Sequence, residues 1–200
     1  MSEILYTYGG QLYINLTNRC PCACTFCVRS QTKGLGSADN LWLEEEPSLE
    51  QVKEALDSYD LSQFDEVVFC GYGEPTCALE RMIEVADEIH RRSSISVRLN
   101  TNGLGDLIHR KRIAPLLKGH IDVVSISLNA PNEEEYLQVT RPRFGKGSFE
   151  ALLQFTRDCK VQELDTRLTV VDVIGEKAIE ESKALAQSLG VVLRVRQYTE

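Results

Sequence analysis

Two hundred residues with 42% apolar side chains correspond to about one globular domain of ~100–200 residues, long enough to bury a core without a disulfide or metal staple. Acidic residues outnumber basic ones 30 to 22, for a net charge of −8, which disfavours bulk nucleic-acid binding through phosphate attraction. No apolar run approaches the ~20 residues that span a bilayer, and the start Met1-Ser2-Glu3 lacks the basic character of a signal peptide, so a cytoplasmic protein without membrane contact is expected.

In chain order the β-branched runs predict strands at Gln11–Leu16, Glu66–Cys70, Ser96–Asn100, Asp122–Leu128, Arg167–Val173 and Val191–Tyr198. Amphipathic periodicity predicts helices between them at Leu49–Tyr59, Leu79–Arg92, Gly105–Leu117, Ser148–Cys159 and Lys177–Leu189, with a helical turn over Asn132–Val139. No linker or low-complexity tract divides the chain, so a single core domain over 1–200 is expected. Strands alternating with such helices imply parallel pairing through right-handed crossovers, in either an open doubly wound sheet or a partial barrel.

The side-chain alternation favours the barrel. Tyr13, Asn15 and Thr17 oppose Leu12, Ile14 and Leu16. Arg98, Asn100 and Asn102 oppose Val97 and Leu99, and Ser125, Ser127 and Asn129 oppose Val124, Ile126 and Leu128. Central strands of a doubly wound sheet are apolar on both faces, whereas here one face is polar in strand after strand. The predicted fold is therefore α/β, a partial (β/α)6 TIM-like barrel with parallel strands and a wet or liganded interior. On this alternation Arg194 and Arg196 point into the barrel. A buried guanidinium there needs a paired anion, either a ligand or a salt bridge at the mouth, and Arg98 and Arg167 raise the same question.

The chain has seven cysteines, four of them between Cys20 and Cys27. In a reducing compartment such a cluster points to metal or redox chemistry. Cys20, Cys24 and Cys27 are spaced C-x3-C-x2-C. Three thiolates on a short loop suit three irons of a cubane, with zinc as the competing reading. The histidines His90, His109 and His120 fall in or beside helical stretches and are expected at the surface. Cys159 is expected to pack in a helix, and Cys22 is a candidate unused thiol within the cluster loop.

These features resemble the radical SAM superfamily, whose signature is C-x3-C-x-Φ-C with an aromatic at Φ, here Phe26. A second matching element is Cys70-Gly71-Tyr72-Gly73-Glu74-Pro75 at the end of the second strand, a Gly-Gly-Glu-Pro variant interrupted by Tyr72. The resemblance implies a [4Fe–4S] cluster on Cys20, Cys24 and Cys27, and S-adenosylmethionine (SAM) as cofactor. It further implies that Gly73 and Glu74 receive the methionyl ammonium. Asn100, Asn102, Ser127 and Asn129 would meet its ribose and carboxylate, and Ile174 its adenine. Arg194 and Arg196 are candidate partners of the SAM carboxylate or of a substrate anion. Cys70 and Cys77 flank the glycine element and are candidate cavity thiols, for hydrogen-atom donation or simple packing.

The implied chemistry is reductive cleavage of SAM to a 5′-deoxyadenosyl radical that abstracts hydrogen from a substrate, driven by an electron donor of flavodoxin or ferredoxin type. Within the superfamily the segments Asn15–Cys20, Cys24–Arg29, Ser127–Ala130 and Arg194–Tyr198 are most similar to the small TatD-associated group. Glycyl-radical-activating enzymes, which act on a protein partner, are one alternative. The deazaguanine-forming synthases place Asp-Thr where Val28-Arg29 stands here. A non-catalytic iron–sulfur or zinc binding module is the alternative of another class. The Ser30–Pro47 loop, with Trp42 and Leu43, is expected to fold across the open side of the barrel.

Overall fold

Seven strands alternate with helices in the computed structural model, which describes residues 3–198. They are β1 (Leu5–Tyr8), β2 (Gln11–Ile14), β3 (Glu66–Phe69), β4 (Ser96–Thr101), β5 (Val123–Ser127), β6 (Asp165–Val171) and β7 (Val192–Arg196), side by side in chain order. β2 to β7 pair in parallel, so all six expected strands form, and the architecture is an α/β partial barrel. The helices are α1 (Leu49–Leu56), α2 (Leu79–Arg92), α3 (Gly105–His109), α4 (Ala114–Leu117), α5 (Glu133–Thr140), α6 (Ser148–Val161) and α7 (Glu176–Ser188). Among the described residues no helix is long and apolar enough to cross a membrane.

Two elements differ from the sequence reading. β1 was not anticipated; it pairs antiparallel with β2 through Tyr6↔Tyr13 and Tyr8↔Gln11. The connecting Gly9 and Gly10 have φ of 55° and 80°, and a two-residue hairpin turn with both φ positive strongly favours glycine. The single helix expected over Gly105–Leu117 is instead α3 and α4. Arg110 ends α3 in the left-handed region at φ 54°, and Pro115, which lacks an N–H for a continuing helix, opens α4. The Asp106 carboxylate accepts the Ile113 N–H at 2.9 Å and stabilises the break.

The apolar rows point outward beneath the helices. Val67, Phe69, Leu99, Ile126 and Leu168 are fully buried, as are Met82, Val85, Ala86 and Ile89 at helical spacing on α2. Complete burial of each large side chain contributes about 1.5–3 kcal/mol, which sets the helices on one face and leaves the other face of the sheet open. That inner face carries the register rows Tyr13–Val68–Arg98, Asn100–Ser125–Arg167 and Ser127–Thr169–Arg194. Arg98 is buried and already neutralised, 2.8 Å from Glu66 and 2.7 Å from Gln11. Arg167 pairs with Asp165 at 2.7 Å.

Arg194 and Arg196 lie in the inner rows, opposite Thr169 and Val171, but both are exposed rather than buried. β7 ends the sheet, and its Val192 is 72% exposed. Solvation explains how these guanidiniums stand without an ion pair among the described residues.

The Ser30–Pro47 segment is a wall of the barrel more than a lid over it. The Ser37 N–H donates to the Thr7 carbonyl (3.0 Å) and the Thr7 N–H to the Ser37 hydroxyl (2.8 Å), so the outer edge of β1 is covered. Leu41 is fully buried with Tyr6, Ala38 and Tyr72, and Leu43 is buried while Trp42 stays 39% exposed. One bond reaches across to the far side, from the Gln31 amide to the Tyr198 hydroxyl.

Candidate functional site

The cysteine loop leaves β2 at the carboxyl end of the sheet and is held from three sides. The Glu74 N–H donates to the Arg19 carbonyl at 2.8 Å. The Arg29 guanidinium reaches the carbonyls of Asn18 (3.5 Å), Tyr72 (3.3 Å) and Cys22 (3.3 Å). From the far side of the sheet sequence, the Ala23 and Thr25 N–H groups donate to the carbonyls of Thr140 (3.0 Å) and Val139 (2.9 Å). Arg19 adds an exposed ion pair with Glu46 at 2.6 Å and donates to the Cys77 carbonyl at 2.7 Å.

Within this frame Cys20, Cys24 and Cys27 are half-buried, whereas Cys22 is buried at 5% exposure and packs with the main core. The thiols form a polarised set. Hydrogen bonds from its neighbours hold Cys22 strongly protonated, and the same bonds push Cys20 and Cys24 below the usual thiol range, with the Arg29 charge acting in the same direction. Burial raises Cys27, partly offset by a backbone hydrogen bond and Arg29. Asn102 completes the rim, its amide 3.7 Å from Cys22 Sγ and 3.9 Å from Cys20 Sγ.

Among the described residues no three His, Cys, Asp or Glu side chains converge as one metal ion requires. A structural zinc ion takes four ligands in a tetrahedron with sulfur at about 2.3 Å. A cubane instead carries each thiolate on a different iron. Three half-buried thiols on one clamped loop, with a cation beside them, are compatible with a three-thiolate cluster. The three histidines take no part: they contact Asp122, the Thr76 carbonyl and Asp87.

The Gly-Tyr-Gly-Glu element sits against this loop. A Cβ on Gly73 would lie 2.2 Å from the Thr17 carbonyl oxygen and 2.7 Å from that of Arg19, and one on Gly71 would meet the Asn15 amide. Glycine is required because backbone meets backbone here. Gly73→Ala must shift the cysteine loop, an overpacking cost of about 1–3 kcal/mol. The melting temperature of the metal-free protein should fall by about 2–10 °C, and an unchanged melt would contradict this close approach. Tyr72, which splits the glycine pair, is buried at 3%, and its hydroxyl donates to the Thr32 carbonyl at 2.6 Å. The interruption thus anchors the 30–47 segment.

Glu74 is buried at 3% exposure and is the hub of the site. Its Oε1 accepts from the Thr76 N–H (3.1 Å), the Thr76 hydroxyl (2.8 Å) and the Thr101 hydroxyl (2.6 Å). Oε2 accepts the Asn102 N–H at 2.7 Å and keeps capacity for another donor. Burial raises its pKa, and these four hydrogen bonds pull it back toward the ionised form.

The polar strand ends surround the same mouth. Asn100 and Ser127 are half-buried on the inner rows of β4 and β5. Asn129 is 4% exposed, adopts φ 61°, and its buried Oδ1 has no hydrogen-bond partner, which fits a ligand-facing acceptor. Phe26 is half-buried in the cysteine loop, and Ile174 half-buried in the 3-10 turn Asp172–Ile174 after β6.

Cys70 follows β3, its thiol raised by burial and tempered by Arg196 and by a hydrogen bond with Asn100. Burial, with the Glu74 and Cys20 charges, pushes the Cys77 thiol up to about 12. Cys159 is fully buried, as expected.

Sequence reasoning missed Arg29, Thr76, Thr101 and Glu46 as parts of this site. The partners of Arg29, Thr101 and Glu46 are distant in the chain, whereas Thr76 bonds Glu74 two residues before it. Arg29, Thr76 and Thr101 stand in the segments that carry the resemblance, but no role attaches to them there.

The model of the Radical SAM superfamily matches residues 14–186. Similar solved structures include anSMEcpe with bound AdoMet (TM-score 0.65, 17% identity, covering 94% of this chain and 51% of that one). A radical SAM methyltransferase from Sphaerobacter thermophilus aligns with TM-score 0.60 and 19% identity over 96% of this chain and 57% of that one. Streptococcus suis SuiB bound to precursor peptide SuiA aligns with TM-score 0.68 and 17% identity over 98% and 41%. At these identities the likeness is one of fold, and the chain spans roughly half the length of these structures. No curated protein matches the chain. The matched family model, the partial barrel and the cysteine loop at its mouth agree: the chain belongs to the Radical SAM superfamily.

Proposed function

We propose that residues 1–200 form one core domain of an enzyme that binds a [4Fe–4S] cluster and cleaves SAM reductively. The observation that carries this reading is the clamped loop on which Cys20, Cys24 and Cys27 stay half-exposed while Cys22 is buried. When bound, cluster and SAM supply a 5′-deoxyadenosyl radical for hydrogen abstraction from a substrate. The chain's own residues bind, orient and shield.

In this reading Cys20, Cys24 and Cys27 hold three irons, and Arg29 offsets the negative charge of their thiolates. Gly73 and the spare capacity of Glu74 Oε2 receive the methionyl ammonium. Asn100, Asn102, Ser127 and the unpartnered Asn129 Oδ1 meet the ribose and carboxylate. Phe26 and Ile174 supply apolar contacts, and Arg194 and Arg196 hold a carboxylate of SAM or an anionic group of the substrate. Cys70 and Cys77, kept protonated by burial, are thiols available for hydrogen-atom donation. The buried surroundings of Glu74 exclude water from the cofactor's methionyl end.

The electron comes from a donor of flavodoxin or ferredoxin type, and a reducing cytoplasm keeps the thiols free. The substrate is a small molecule or a protein. A protein or peptide substrate, as in the glycyl-radical-activating alternative, is in keeping with SuiB, which is solved with a precursor peptide. Within the superfamily, the segments at Asn15–Cys20, Cys24–Arg29 and Arg194–Tyr198 favour the TatD-associated group.

Anaerobic reconstitution with iron and sulfide tests the reading. Four irons per chain, as a [4Fe–4S] cluster requires, and 5′-deoxyadenosine after dithionite and SAM are expected. Tight zinc, no iron uptake and no nucleoside would overturn it in favour of a binding module.

A further inference from the structure

Three unpaired positive charges stand beside the cysteine loop of this acidic chain. Arg141 and Arg143 follow α5, and Lys146 precedes α6. All three are exposed and make no ion pair among the described residues, whereas Arg157 on α6 pairs with Glu150 at 2.8 Å and Arg112 with Asp158 at 2.7 Å. Arg19, on the loop itself, is already matched by Glu46. Glu133 accepts the Gly147 N–H at 2.7 Å and closes the patch beyond Lys146.

Backbone hydrogen bonds fix these charges next to the thiols. The exposed Ala23 and Thr25 donate to the carbonyls of Thr140 and Val139 in the last turn of α5, and the Arg143 N–H donates to the Pro21 carbonyl at 2.9 Å. The loop thus meets solvent at Ala23, between Cys22 and Cys24, with Arg141 and Arg143 on its rim. Arg141 caps α5 in the left-handed region at φ 46°, its N–H donating to the Leu137 carbonyl, where glycine is the residue that fits without strain. The Arg143 guanidinium lies over the Phe144 ring, 4.8 Å from its centre, and that ring packs against the main core. Stacking on a packed ring orders the charge at the surface.

We propose that Arg141, Arg143 and Lys146 are the docking surface for an acidic electron-carrier protein, which delivers its electron across the exposed Ala23 side of the cysteine loop. This rests on the reading that Cys20, Cys24 and Cys27 hold a reducible cluster. Each SAM cleaved consumes one electron, so the carrier's redox group is oxidised by one electron as the cluster is reduced by one. Electron transfer slows steeply with distance, which favours a landing site on the rim of the loop itself. With a net charge of −8, the chain repels an acidic carrier over most of its surface, and a local positive patch selects where it lands. RNA is the other polyanion such a patch attracts, but it supplies no electron.

The test compares the reconstituted wild type with the double variant Arg141→Gly/Arg143→Gln, using a flavodoxin as the carrier. Binding is read without turnover, by fluorescence anisotropy of the labelled flavodoxin, and 5′-deoxyadenosine formation is read with reduced flavodoxin and with dithionite. The variant should match the wild type in iron content and dithionite-driven rate. Its metal-free form should melt no lower, because glycine relieves the left-handed cap. Its Kd for flavodoxin should rise about tenfold at low ionic strength, and the difference should narrow in about 1 M salt, where the Debye length falls to about 3 Å. No binding to the wild type, an affinity of the variant within twofold of it, or a difference that salt leaves unchanged would each overturn the docking role. Equal losses of rate with flavodoxin and dithionite would show a structural role and overturn it as well, as would a variant that loses affinity for RNA alone. A wild type that forms no 5′-deoxyadenosine with dithionite would overturn the cluster reading and the docking role with it.

Discussion

Alanine at Cys20, Cys24 or Cys27 is expected to abolish iron uptake, whereas Cys22→Ala is expected to retain it. All four thiols lie within eight residues, so spacing alone leaves the choice of ligands to the family pattern; burial separates them independently. Cys22 is 5% exposed and packs into the main core, with Pro21 buried beside it, while the other three stay half-buried on the open side of the loop. Freeing Cys22 for a metal would pull a core residue outward, at a cost of about 1 kcal/mol or more in lost packing. Cys22→Ala should therefore show a small loss of stability with full iron content. Iron per chain and visible absorption after reconstitution check this. Cys22→Ala losing as much iron as Cys24→Ala would contradict the assignment.

Glu74→Gln should weaken SAM binding by tenfold or more while leaving iron content near that of the wild type. The carboxylate does two jobs with two oxygens: Oε1 gathers Thr76 and Thr101, and Oε2 holds the Asn102 N–H. An amide keeps the size but presents an NH2 group to one of these donors, leaving a buried N–H or hydroxyl unpaired. Hydrogen bonds to charged groups contribute about 1.5–3 kcal/mol each, and 1.4 kcal/mol is tenfold in affinity. The bond from the Glu74 N–H to the Arg19 carbonyl is made by the backbone and survives the substitution, which is why the cysteine loop should still load. Equilibrium dialysis of SAM against the reconstituted variant measures the effect. An affinity within twofold of the wild type would remove Glu74 from the SAM site.

Much of this arrangement is legible in the residues because the signals are local. Period-two alternation marks six parallel strands and their inward rows, and the C-x3-C-x2-C spacing marks the loop. β1 escaped because four residues make a weak pattern, although Gly9-Gly10 between Tyr8 and Gln11 is a hairpin signal.

What stayed hidden depends on contacts between distant segments. Arg29 clamps a carbonyl 43 residues away at Tyr72, and Val139 and Thr140, at the end of a helix beyond β5, accept the N–H groups of Thr25 and Ala23 in the cysteine loop. The direction of Arg194 and Arg196 follows from alternation, but their exposure follows from β7 being the last strand of the sheet, a property of topology. Likewise the 30–47 segment reads as a loop in composition, while its role as the cover of β1 rests on backbone pairing with Thr7.

The central claim is that the three-thiol loop holds a cluster whose remaining iron is open to SAM. Electron paramagnetic resonance of the reduced, reconstituted protein tests this most directly, recorded with and without SAM. The account predicts a [4Fe–4S] signal whose g-values shift when SAM is added, and a shift that is lost or weakened in Glu74→Gln. An identical spectrum with and without SAM, from a fully loaded wild type, would contradict it.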